Sequence, residues 1–70
     1  MLMNEKIKQL RKAKGLTQMD LAIAVGTTPT TIGFWEAGRF DPSAFNLIIL
    51  ADVFNVSLDE LCCREFKGVN

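Results

Sequence analysis

Seventy residues, 49% of them apolar and 23% charged, suffice for one small domain and are too hydrophobic for a disordered tail, while the longest apolar runs, such as Leu47 to Ala51, are far too short to span a membrane. The chain has no His, no Tyr and only the adjacent pair Cys62 and Cys63, so paired-Cys zinc sites, a Cys–His nucleophile and a Ser-His-Asp triad are excluded. The zero net charge hides a division: residues 1–40 carry six cationic against three anionic side chains, and residues 41–70 carry two against five.

These limits imply a non-enzymatic single domain over residues 1–70, with no catalytic residue, metal or cofactor and no membrane partner. Met1 to Lys8 offers no apolar stretch of the kind a secretory signal needs, so a cytoplasmic location is expected. Neighbouring cysteines close no useful loop, which leaves tight helical packing to supply stability. The basic half permits an anionic partner or merely marks a solvated helix face.

Five short helices fit the punctuation. The first is predicted from an N-cap at Asn4 to Lys14, with Met3, Ile7 and Leu10 on one face and Gly15 ending it. Thr17 and Asp20 form a capping box for a second helix reaching about Ala24, with Leu21, Ala22 and Val25 inward and Gly26 stopping it. Thr28 followed by Pro29 opens a third, with Ile32 and Trp35 inside and Gly38 closing it. Asp41 and Pro42 repeat that start for a fourth helix whose buried stripe is Ala44, Leu47, Ile48, Ala51 and Phe54, ended at Asn55. Ser57 and Glu60 box a last helix carrying Leu58 and Leu61, with Cys62 as a small core residue and Cys63 more exposed. No strand pattern or repeat is present.

The second and third helices, joined through a glycine, must cross steeply, and Ala22 supplies the small contact which that crossing needs. The predicted architecture is all-α, a compact five-helix domain with a helix-turn-helix unit at about residues 17–37.

The run from Leu10 to Gln18, then Leu21-Ala22, Val25-Gly26, Ile32, Trp35-Glu36, Gly38, Pro42-Ser43 and Val56 to Leu61 resembles the lambda-repressor-like (Cro/CI-type, XRE) family of bacterial and phage regulators over nearly the whole chain. The resemblance implies sequence-specific binding of double-stranded DNA as a homodimer on a palindromic operator, usually for repression, with the third helix in the major groove. It places Gln18 and Arg39 at phosphate-holding positions and joins Arg11 to Glu36 in a structural ion pair. Thr17 and Thr28 lie at the amino ends of the two helices, whose free N–H groups suit phosphate. The base-reading slots hold Pro29, Thr30, Thr31, Gly33 and Phe34, none able to make a bidentate contact to guanine or adenine. Thr30 offers one hydrogen bond and Phe34 an apolar contact to a thymine methyl, so modest selectivity is expected.

On the fourth helix Phe45, Ile49 and Val53 form a second apolar stripe nearly opposite Ala44, Leu47 and Ala51, expected to be the dimer interface together with the fifth helix. The alternative reading is a protein-interaction module or antitoxin of the same fold, its third helix or the fourth-helix face meeting a protein partner such as a toxin or another regulator.

Overall fold

A computed structural model describes residues 1–63, which contain five α-helices and no strand: α1 Met3–Ala13, α2 Gln18–Val25, α3 Pro29–Ala37, α4 Ala44–Phe54 and α5 Leu58–Leu61. Among these residues no helix is long and apolar enough to cross a membrane.

Local chemistry explains most boundaries. The Thr17 hydroxyl accepts the Asp20 N–H at 3.0 Å while the Asp20 carboxylate accepts the Thr17 N–H at 3.0 Å, so two of the free donors are satisfied where α2 begins. Thr28 caps α3 by accepting the Thr31 N–H at 3.2 Å, with Pro29 at the first helical position, where its missing N–H costs nothing. Ser57 does the same for α5 through the Glu60 N–H. At the turn between α2 and α3, Gly26 takes φ 86°, a left-handed conformation that folds the chain back sharply.

Two predicted caps are corrected. Helix α1 begins one residue before Asn4: the Glu5 carboxylate accepts the Leu2 N–H at 2.9 Å, and the Asn4 amide instead donates to the Glu36 carbonyl at 3.2 Å, one of the carbonyls left over at the end of α3. Helix α4 is capped by Ser43, whose hydroxyl accepts the Asn46 N–H at 3.2 Å, so Asp41 stays outside and Pro42 is buried as a loop residue.

Ile7, Leu21, Ala22, Val25, Ile32, Trp35, Leu50, Ala51, Phe54 and Leu61 form one buried cluster to which every helix contributes. Ala22 and Trp35 are both buried in this cluster. The inner face of α4 differs from the predicted stripe. Leu50 is fully buried with Ala51 and Phe54, Leu47 is half-buried, and Ala44 and Ile48 face outward, Ile48 at 51% exposure. Residues 47, 50, 51 and 54 share one face at helical spacing, and a helix apolar nearly all round does not reveal from its own sequence which face that is. Leu58 also turns out, at 44% exposure. Cys62 and Cys63 are alike half-buried, where Cys62 was expected inside and Cys63 outside.

Candidate nucleic-acid interface

The support beneath α3 is a buried polar network. Arg11 on α1 donates through Nε to one Glu36 oxygen at 2.6 Å and through Nη2 to the other at 3.1 Å, while its Nη1 donates to the Leu16 carbonyl at 2.8 Å. One guanidinium thus ties α1, the α1–α2 loop and α3 together. The hydrogen bonds it donates to Glu36 raise the Arg11 pKa, burial lowers it, and the attraction between the two charges raises it further. With Arg11 8% and Glu36 9% exposed, the pair fixes geometry more than it adds stability, because desolvating two charges offsets much of their attraction. Asn4 adds a second attachment of α1 to α3.

On this support the inner side of α3 is Ile32, Trp35 and Glu36. At 100° per residue the opposite side is Thr30, Gly33, Phe34 and Ala37, with Thr30 and Ala37 exposed and Gly33 and Phe34 half-buried. Ala37 was missed in the sequence, although its place three residues beyond Phe34 and seven beyond Thr30 is the signal that would have found it. Pro29 begins the helix and is half-buried, and Thr31 lies at the flank, its hydroxyl 3.0 Å from that of Thr28. Thr17, Thr28 and Thr31 therefore spend their hydroxyls on helix starts.

Gln18 and Arg39 border this face. The half-buried Gln18 side chain donates from Nε2 to Glu36 Oε1 at 3.2 Å, and the same nitrogen lies 3.9 Å from where a β-carbon on Gly33 would stand. Its link to the buried ion pair was not foreseen, since it joins residues 18 apart in sequence. Arg39 is exposed, with its guanidinium carbon over the Phe34 ring, 5.3 Å from the centroid, and Phe40 meets that ring edge-on at 5.2 Å. The face thus offers one exposed hydroxyl, a stretch of backbone without a β-carbon, an aromatic ring, an amide and a cation. No pocket and no group of side chains able to hold a metal ion occurs among the described residues.

On α4 the proposed second stripe is uneven. Phe45 is 71% exposed, whereas Ile49 and Val53 are half-buried against the core. The outward apolar surface there is Phe45 and Ile48, with Asp52 between their turns and the next.

Residues 7–61 match the helix-turn-helix family. The chain is 40% identical over 62 residues to the HTH-type transcriptional activator BcrR of Enterococcus faecalis, covering 89% of this chain and 30% of that protein. It is 36% identical over 64 residues to the cryptic phage CTXphi transcriptional repressor RstR of Vibrio cholerae, covering 91% of this chain and 57% of RstR. The chain therefore spans well under two thirds of either relative. Its fold is similar to that of the P22 c2 repressor protein solved in complex with a synthetic operator, with a TM-score of 0.87 and 31% identity over 93% of this chain and 98% of the other.

Proposed function

The chain belongs to the lambda-repressor-like helix-turn-helix family of DNA-binding transcriptional regulators, which are not enzymes, and from that premise we propose that it binds a palindromic operator as a homodimer with α3 in the major groove. The observation that carries this reading is the outward face of α3, bordered by Gln18 and Arg39 and braced from behind by Arg11 and Glu36. Gln18 and Arg39 hold backbone phosphates, joined by the N–H groups of Gln18 and Met19 at the start of α2 and of Thr30 at the start of α3, which the Thr17 and Thr28 caps leave free. Thr30 and Phe34 reach base edges, Gly33 lets the helix backbone come close, and Thr31 lies beside them. Two of the three relatives are named as repressors and support repression as the outcome of operator occupancy.

Such a face reads bases weakly, since a threonine and a phenylalanine give no bidentate contact, so phosphates and DNA shape dominate affinity. Fluorescence anisotropy with a duplex from the chain's own upstream region and with a scrambled duplex, each at two salt concentrations, tests this. Both should bind at low salt, with a steep salt dependence and a modest preference for the upstream sequence. Binding of neither at low salt would remove the DNA reading.

A second reading, a protein partner such as a toxin or another regulator on the α4 face, is favoured by the exposure of Phe45 and Ile48. It predicts a stable heteromeric complex that Phe45→Glu abolishes while binding to a scrambled duplex stays intact.

A further inference from the structure

The way α3 ends brings Arg39 onto Phe34. Gly38 takes φ 74°, and the chain reverses so that the Arg39 N–H donates to the Phe34 carbonyl at 3.0 Å and the Gly38 N–H to the Trp35 carbonyl at 3.1 Å. In a helix end closed by these two bonds, the residue after the glycine packs against the residue five before it, normally by an apolar contact. Here the contact is a cation on a ring, Arg39 over Phe34 at 5.3 Å, with Phe40 fixing that ring edge-on. The same long bond closes α1, α2 and α4, where the residue after the left-handed one is Leu16, Thr27 or Val56. Among the described residues, then, α3 is the helix whose end carries a positive charge in that place.

That charge is also uncommitted. The ion pairs among the described residues are Lys6 with Glu60 and Arg11 with Glu36, and Arg39 is in neither. An exposed arginine ordinarily samples many rotamers, and binding a phosphate must freeze them. A ring beneath the guanidinium restricts those rotamers beforehand, and a contact with a ring uses none of the guanidinium's N–H groups as conventional hydrogen-bond donors, so they stay available to a phosphate.

We propose that Phe34 is a positioning residue for Arg39: the Phe34–Phe40 ring pair, placed by the end of α3, pre-orients the guanidinium toward a backbone phosphate beside the recognition helix. This rests on the DNA-binding reading above and adds to Phe34 a role independent of base sequence. The ring's benefit is therefore present on any duplex.

The experiment uses the full chain and a random-sequence duplex, on which base reading contributes nothing, with affinity measured across a salt series. Arg39→Ala should reduce the slope of log K against log salt by about 0.9, the loss of one phosphate contact. Phe34→Ala and Phe34→Leu should each weaken binding about two- to fivefold, the range expected for an exposed cation–π contact, and Phe34→Trp should restore it. In the Arg39→Ala background the Phe34 changes should have no further effect, because a residue acting through Arg39 has nothing left to act on. Circular dichroism melts on every variant, with leucine retaining apolar volume, separate this from a loss of fold. Three results would overturn the proposal: unchanged binding by Phe34→Leu, tighter binding by it, or an equal loss whether or not Arg39 is present. If the parent chain binds no duplex at low salt, the DNA reading itself falls and takes this role with it.

Discussion

Gly33 is a cost that nothing inside the protein explains. Its backbone is ordinary right-handed helix, and an added methyl group would meet only the Gln18 amide at 3.9 Å, a normal van der Waals distance. A glycine in mid-helix is destabilising by about 0.5–1 kcal/mol relative to alanine, through backbone entropy. Gly33→Ala should therefore stabilise the fold by about 0.5–1 kcal/mol, which raises the melting midpoint by several degrees in a domain this small. If the bare backbone is what lets α3 approach the groove floor, the same change should weaken DNA binding, so stability and affinity move in opposite directions. Calorimetry and anisotropy on one variant decide it: stabilisation with unchanged affinity would show that the missing side chain serves no contact. The position is legible in sequence as an oddity, and its neighbour Gln18 is not, because the bond from Gln18 to Glu36 depends on how α2 crosses α3.

At the scale of the elements, what could be read was what is local. Thr17, Thr28 and Ser57 start their helices as predicted because a hydroxyl and an N–H three residues on need no tertiary partner. Asn4 and Asp41 are equally good cap types, yet Asn4 is drawn to the end of α3 and Asp41 yields to Ser43 two residues later. The inner face of α4 was illegible for a different reason: Phe45, Leu47, Ile48, Ile49 and Leu50 leave almost no polar side to orient it. The Thr17–Asp20 box carries a pH signature. The Thr17 backbone N–H, then its hydroxyl, hold the Asp20 carboxyl below the usual carboxylate range. Since the folded value lies below the unfolded value of about 3.9, this contribution is complete above that pH and is lost as pH falls through the folded value. Asp20→Asn should therefore melt below the parent at pH 7, and the gap should narrow on acidification below about pH 4. A gap that stays constant between neutral pH and strong acid would mean that the carboxylate charge does not contribute.

For the whole molecule, the two-fold operator binding proposed above requires two α3 helices set about one DNA turn, roughly 34 Å, apart. The sequence points to the fourth and fifth helices as the joining surface, and on α4 the fold narrows it to Phe45 and Ile48, since Ile49 and Val53 are partly used by the core. Two exposed side chains per subunit are a small nucleus beside the roughly 800 Å² per partner of a standard interface, so the self-association we propose is weak in solution and completed on DNA. Sedimentation equilibrium should find monomer and dimer exchanging in the micromolar range. Phe45→Glu should shift the chain to monomer while changing fold stability by no more than about 0.5 kcal/mol, as an exposed substitution away from the core does. Ile49→Ala, by contrast, should cost stability first, because its side chain packs against the buried cluster. Both effects reach DNA differently: the Phe45 variant should lose affinity for a two-fold operator and keep its affinity for random duplex, since each monomer still carries its own α3, Gln18 and Arg39. A parent chain that remains monomeric at high micromolar concentration, and binds the operator with no cooperativity, would overturn the homodimer itself.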